Sequence, residues 1–228
     1  MTTAPAPPTV RSRVADLAAA QIVPWQQGYL SDSPAAVAAL ARLRRGAGRN
    51  AAEIPDLWGL VDTGPLHGGS HEMRPLSDVE LARAEDALYT ALTLWALHQQ
   101  SRGTPMHRAH TRDQPRGLGA AVRRLMPANG IDEPVLKRLV RAGTAADPIV
   151  LAQRLREIVV LLRRSDIPLD YGLLAGQLYA WQWPGGAESV RRSWGRSFHS
   201  WRPARNSGEN PTTAASHPDL DTDTKDAS

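Results

Sequence analysis

The chain has 228 residues, of which 42% are hydrophobic and 5% aromatic, so it can bury one large core or two small ones. Cysteine is absent, which excludes disulfides, thiolate metal sites and cysteine nucleophiles. The formal net charge of +4 divides unevenly, because residues 206–228 hold five acids and one base, which leaves +8 on residues 1–205. A basic folded part favours a polyanionic partner.

Helix-forming Ala, Leu and Arg dominate the composition, aromatic residues are few, and Ile and Thr are scarce in apolar runs, so we predict an all-α protein. The chain starts without the apolar core of a secretory signal, and no apolar stretch reaches the ~18–20 residues of a membrane span. We therefore expect a cytoplasmic protein with no membrane partner. Residues 1–8 and 203–228 lack periodic apolar positions and are predicted to be disordered ends, the second an acidic tail.

An N-terminal helical subdomain is predicted over residues 9–100. Its helices are expected at about Val10–Tyr29, bent or interrupted at Pro24; from Pro34 to Gly46, with Ser33 as N-cap; at Pro55–Val61; and from a capping box at Ser77 and Glu80 to about Gln100. Gly64–Pro75 is expected to be a loop.

Residues 101–116 contain little apolar material and are predicted to be a loop between the two halves of the chain. A C-terminal bundle of four to five helices is predicted over residues 117–202. The expected helices are Leu118–Met126, Glu133–Ala142, Pro148–Arg164 with Asp147 as cap, Leu169–Trp183 and Ala187–Trp201. Short connections between such helices imply antiparallel neighbours, and hence helical bundles.

Enzyme motifs are missing from the sequence. It has no G-x-x-x-x-G-K-[ST], no G-x-G-x-x-G after a strand, no H-E-x-x-H and no G-x-S-x-G, so neither catalysis nor a cofactor is expected. The strongest metal pattern is His67-Gly-Gly-Ser-His71-Glu72, which His107 and His110 could join in a metal-dependent nuclease. A glycine-rich loop positions ligands poorly, so solvated histidines are the favoured interpretation and no metal is predicted.

The seven tryptophans supply most of the aromatic bulk. Trp58, Trp95 and Trp194 lie among apolar helical positions, which favours packing in the core over stacking against bases. For Trp181, Trp183 and Trp201, near predicted helix ends, both interpretations stay open.

Basic side chains recur on the predicted helices without matching acids on the same turns. The candidate phosphate contacts are Arg42, Arg44, Arg45, Arg123, Arg124, Lys137, Arg138, Arg141, Arg154, Arg156 and Arg163. Several lie at helix C-termini, where the helix dipole alone favours a cation, so a solvated helix face remains an alternative for each of them. The recurrence across five helices favours phosphate binding.

A helix-turn-helix regulator is conceivable from the short helices expected at Leu118–Met126 and Glu133–Ala142. Almost any all-helical protein offers such a pair, so this remains the alternative to sequence-independent binding of phosphates.

Several segments, in this order and spacing, resemble the CasB family, the small subunit of the type I-E CRISPR surveillance complex Cascade. They are ARLRRG (41–46), IPDLW (54–58), ALYTALTLWALHQ (87–99), GLGAAVRRL (117–125), LREIVVLLR (155–163), DYGLLA (170–175) and VRRSWGRSF (190–198). The resemblance spans roughly residues 10–200 and leaves out the acidic tail.

This resemblance implies an all-helical, two-bundle protein without enzymatic activity. It also implies that two copies lie together in the complex, beside the other Cascade subunits, the guide RNA and the target DNA. The family binds nucleic acid without sequence preference and stabilises the opened target, in particular the displaced DNA strand, in antiviral defence. Guide pairing supplies the sequence specificity.

Overall fold

The computed structural model describes residues 9–49, 54–68 and 74–201. Within these ranges the chain forms nine α-helices and no β-strand, which confirms the all-α prediction. The helices are α1 (Val10–Leu30), α2 (Pro34–Leu43), α3 (Gly64–His67), α4 (Asp78–Gln99), α5 (Leu118–Arg124), α6 (Glu133–Gly143), α7 (Pro148–Arg164), α8 (Tyr171–Trp181) and α9 (Gly186–Ser200). The predicted disordered ends lie outside the described residues.

Side-chain caps fix where several helices begin, because they satisfy backbone N–H groups that have no partner in the first turn. Ser77 and Glu80 form the expected capping box at the start of α4. Asp132, Asp147 and Asp170 each accept a hydrogen bond from the backbone N–H three residues later, and they begin α6, α7 and α8. The cap at Asp170 explains why α8 begins at Tyr171 and not at Leu169.

Three N-terminal predictions differ from the structure. Helix α1 is not interrupted at Pro24, and both Pro24 and Ala20, one turn earlier, lie on the exposed side of the helix. The predicted loop after Gly64 contains the one-turn helix α3. Pro55–Leu57 is a single 3-10 turn in place of the longer helix expected to Val61.

The centre of the core is α4, in which every residue from Ala91 to Gln99 is buried. A helix that is covered on all sides needs neighbours around it, and α1, α2, α7 and α8 supply them. Helix α1 lies close to α8, where Gly172 and Gly176 face the backbone of α1, and a Cβ at Gly172 would lie 2.8 Å from the carbonyl oxygen of Ala15. Apolar side chains from both halves of the chain thus share one core.

A buried polar network crosses this core. Gln26 of α1 accepts hydrogen bonds from Trp95 Nε1 and from the backbone N–H of His107, and its amide donates to the carbonyl of His107. Tyr171 donates its backbone N–H to His107 Nδ1, and its hydroxyl lies 2.8 Å from His98 Nδ1. Burial lowers the pKa of His98 to about 3 and also lowers the pKa of His107, so both imidazoles are neutral near pH 7.

The tryptophan predictions have mixed outcomes. Trp95 and Trp194 are buried, as predicted. The prediction for Trp58 is wrong, because 61% of that residue is exposed. The short 3-10 turn presents one side to the core, and fully buried Leu57 occupies it. Trp181 is buried in a stacked contact with Trp194, 5.8 Å between ring centroids.

Candidate nucleic-acid interface

The candidate cations differ in exposure and in local contacts. Those with exposed side chains are Arg42, Arg44, Arg45, Lys137, Arg141 and Arg156, and those half-buried are Arg123, Arg124, Arg138, Arg154 and Arg163. Exposed guanidinium groups on rigid helices can reach phosphates at little cost in folding free energy.

The segment that follows α2 and its 3-10 turn Arg44–Gly46 meets the middle of α7 at Gly48, a residue with φ of +80°. A Cβ at Gly48 would lie 2.9 Å from Cδ of Arg156, so the stem of Arg156 crosses this glycine. Arg45 lies three residues before Gly48, and 67% of its side chain is exposed. The fold thus places predicted cations from the turn after α2 and from α7 near Gly48. We call Arg44, Arg45 and Arg156 the outer cluster.

Acidic groups near the outer cluster neutralise little of it. Asp56 Oδ2 lies 3.9 Å from Arg45 Nη1, with both side chains largely exposed, so this ion pair is weak. Arg42 donates a 2.6 Å hydrogen bond to the backbone carbonyl of Asp56, which ties the end of α2 to the 3-10 turn. The outer cluster therefore keeps most of its positive charge.

Other candidate cations make contacts that hold helix ends in place. Arg163 donates to the side-chain oxygen of Gln100 at 2.8 Å and so links α7 to the end of α4. Arg123 donates to the carbonyls of Pro127 and Ala128, just beyond α5. Arg138 donates to the carbonyl of Pro134 within α6, whereas Lys137 and Arg141 on the same helix are exposed.

A second concentration of positive charge lies in an open groove of about 470 Å³. Its lining consists of Arg108, Asp113, Gln114, Pro115, Arg116, Arg124 and Trp201. Arg124 was a candidate from the sequence, but Arg108 and Arg116 were not in the candidate set. They belong to the connection between α4 and α5, where no helical periodicity relates them to Arg124 or to each other.

The guanidinium groups of this groove affect one another. The pKa of Arg116 is lowered, first by burial and then by the nearby charges of Arg108 and Arg124. Burial and Arg108 lower the pKa of Arg124 in the same way. A shift in this direction means that the charged forms are under-compensated, so a bound anion would stabilise them.

The packing of α5 against α9 sets the position of this groove. A Cβ at Gly119 would overlap the carbonyl oxygen of Trp194 and lie 2.8 Å from the backbone nitrogen of Phe198. This close approach brings the end of α5, with Arg123 and Arg124, beside the end of α9. The guanidinium carbon of Arg123 lies 5.7 Å from the ring centroid of Trp201.

Of the predicted histidine pattern, His67, His107 and His110 lie within the described residues, whereas His71 and Glu72 lie outside them. His67 Nε2 lies 3.1 Å from Glu85 Oε1. His107 belongs to the buried network, and His110 Nδ1 accepts from the backbone N–H of Arg116. Across the described ranges, no group of three or more potential metal ligands occurs, and no helix there has the length and apolar character to cross a membrane.

Comparison with solved structures finds the same fold. CasB from Thermobifida fusca is 47% identical, with a TM-score of 0.71 over 86% of this chain and 100% of that chain. A chain of a CRISPR RNA-guided surveillance complex is 20% identical, with a TM-score of 0.55 over 82% of this chain and 95% of that one, which is a similarity of fold.

Comparison of sequences gives the family. No curated protein matches the chain. The family model described as CRISPR-associated protein Cse2 matches residues 39–199, which is well over half of the chain. Together with the identity to CasB, this match confirms the resemblance seen in the sequence, and the chain belongs to the CRISPR-associated protein Cse2 (CasB) family.

Proposed function

We propose that this chain is a non-catalytic, nucleic-acid-binding small subunit of a type I-E CRISPR surveillance complex, Cascade. The observation that carries the proposal is that a member of the Cse2 family presents exposed, poorly compensated cations on α2, α6 and α7. Its partners are the guide RNA, the target DNA with its displaced strand, the other Cascade subunits and a second copy of itself, in the cytoplasm.

Phosphate recognition explains how such a surface acts. Guanidinium groups form paired hydrogen bonds with phosphate oxygens, and their binding releases condensed counterions from the strand. Opening a target exchanges one duplex for another of similar stability, so holding the displaced strand shifts the balance towards the open state. The specificity comes from base pairing, and the subunit itself needs no sequence preference.

Salt dependence provides the first test. The logarithm of the affinity for single-stranded DNA should fall linearly with the logarithm of the salt concentration, by ~0.7 per neutralised phosphate. Arg45→Glu combined with Arg156→Glu should flatten this slope and weaken binding to all sequences alike. Folding should be unaffected, because both side chains are exposed.

A charge-matched control is Arg11→Glu combined with Arg196→Glu, since these arginines are exposed and lie outside the candidate set. It changes the net charge equally, so a larger loss in the outer-cluster variant would show that position matters. Equal binding and slope in a folded outer-cluster variant would contradict the proposed surface. In the same assay, strong preference for one duplex sequence would indicate a regulator, and cleavage with a divalent metal would indicate a nuclease.

A further inference from the structure

The groove beside the end of α5 combines cations with an aromatic wall. Arg108 and Arg116 come from the connection between α4 and α5, Arg124 is the last residue of α5, and Trp201 follows the last residue of α9. Three separate stretches of chain thus meet around one concave surface. Its volume of about 470 Å³ lies within the range of small-ligand sites.

Arg116 lies deep in this groove and is held on both sides of its backbone. It is 9% exposed. Its backbone N–H donates to His110 Nδ1 at 3.1 Å, and its carbonyl accepts from the N–H of Asp170 at 2.9 Å. Its guanidinium donates to the side-chain oxygen of Gln114. The position of this guanidinium is therefore set before any ligand arrives.

Arg108 is fixed by the same connection. Its backbone N–H donates to the carbonyl of Leu169, whose own N–H donates to the carbonyl of Met106. These bonds attach residues 106–108 to the segment that leads into α8. The Arg108 side chain itself is exposed, so it can move towards an anion while its backbone stays in place.

The charges of the groove are unbalanced. Asp113 is the carboxylate in its lining, against the guanidinium groups of Arg108, Arg116 and Arg124. Among the described residues, none of these arginines forms an ion pair with a carboxylate. A recessed guanidinium without a carboxylate partner is costly in free energy, and an anionic ligand would offset that cost.

We propose that this groove binds one nucleotide of a single-stranded polynucleotide, with its phosphate among the guanidinium groups of Arg108, Arg116 and Arg124 and its base against Trp201. The inference rests on the proposed function and adds to it a defined site and a preference for single strands. A flexible strand can lower one phosphate towards recessed Arg116, whereas the phosphates of a rigid duplex remain on a convex cylinder. The aromatic wall adds stacking that every base can use.

The test measures binding of the full-length chain to labelled single-stranded DNA, single-stranded RNA and duplex DNA. Arg116→Gln should weaken binding to both single strands roughly tenfold, the effect expected for one charge-assisted contact. Its salt slope should fall by about 0.7, whereas duplex binding should stay within about twofold of the parent. Arg112→Gln, at an exposed position outside the groove lining, is the matched control and should leave binding to all three unchanged.

Trp201 provides a second readout. Trp201→Leu should weaken binding to single-stranded DNA and RNA at least about fivefold through lost stacking, and Trp201→Phe should recover most of the affinity. If Arg116→Gln does not fold, Arg124→Gln carries the same expectations, since Arg124 is half-buried.

Two outcomes would overturn the inference. The first is binding to single strands that a folded groove variant leaves unchanged, and the second is an equal loss of binding to duplex DNA. Failure of the proposed function looks different, because the unmodified chain would then bind no nucleic acid. If the inference alone fails, the chain still binds, and the outer-cluster variant still weakens that binding.

Discussion

The outer cluster and the groove are both rich in arginine, but they are built differently. The side chains of Arg45 and Arg156 are exposed; Arg45 forms a weak ion pair with Asp56, and the stem of Arg156 crosses Gly48. Arg116 is 9% exposed, and its position depends on hydrogen bonds to His110, Gln114 and Asp170. Exposed cations can therefore be exchanged with little effect on folding, whereas the geometry of the groove depends on the packing beneath it.

Gly119→Ala should have the largest effect on stability and on the groove, because it disturbs the packing of α5 against α9 without removing a charge. The added Cβ would overlap the carbonyl of Trp194, so α5 and α9 must move apart. We expect a loss of roughly 1–3 kcal/mol in the free energy of unfolding, measured by urea titration. Binding to single strands should fall further than binding to duplex DNA, because the groove is displaced while the outer cluster remains.

A matched control for this substitution is Gly195→Ala in α9. Among the described residues, no atom beyond the neighbouring backbone of α9 lies within 4 Å of a Cβ built at Gly195, so the free energy of unfolding should stay level or rise by up to about 1 kcal/mol. An unchanged stability of Gly119→Ala would show that α5 and α9 are not held together as closely as the structure indicates.

A smaller effect is expected from acidification. The pKa of His98 in the folded protein is about 3, well below its ordinary value of 6.5, and that of His107 is also lowered. Below about pH 6.5 the unfolded chain therefore binds more protons than the folded chain. The contribution of these two histidines to the free energy of unfolding is complete above that pH and is lost as the pH falls towards their folded pKa. Each histidine adds a slope of at most about 1.4 kcal/mol per pH unit.

Urea titrations at several pH values between about 7.5 and 4.5 measure this slope. His98→Phe should flatten it, because this variant removes the buried imidazole whose pKa is lowered most. His107 directly precedes Arg108 and is hydrogen-bonded to Gln26 and Tyr171, so protonation of its imidazole should displace Arg108. As the pH falls, binding of single strands in the groove should therefore weaken at a higher pH than binding at the outer cluster. A stability that is flat across this range would contradict neutral, buried imidazoles.

The same contrast explains what could be predicted from the sequence. Local signals located most of the helices, because the capping box at Ser77 and the cap at Asp147 act within one turn of the residues that they cap. The exposure of Trp58 was missed, since a 3-10 turn of three residues carries no helical periodicity to show that Leu57 faces the core. The structural contact of Arg163 with Gln100 was equally invisible, because its partner lies 63 residues away.

The two basic regions also differ in how far the sequence predicts them. Cations of the outer cluster could be chosen from the sequence because they lie on or directly beyond helices with recognisable polar faces. Arg108 and Arg116 could not, because they are brought to Arg124 by backbone bonds between their connection and the segment preceding α8. A pattern within one helix predicts which side chains are exposed, but only the packing of several elements determines a concave surface.

The smallest effect is expected from deletion of residues 206–228, which removes five acids and one base. The change raises the net charge of the chain by four, so affinity for nucleic acid should stay level or rise slightly at low salt, and the difference should vanish as salt screens the charges. Replacing Glu209, Asp219, Asp221, Asp223 and Asp226 with their amides is the control that retains length, and it should reproduce the deletion if charge alone matters. If the affinity rises equally for single strands and duplexes, the carboxylates of the tail weaken binding at both basic regions by long-range electrostatic repulsion. A rise confined to single strands would mean that the tail competes for the groove beside Trp201, and a marked fall would show that the tail itself contributes to binding.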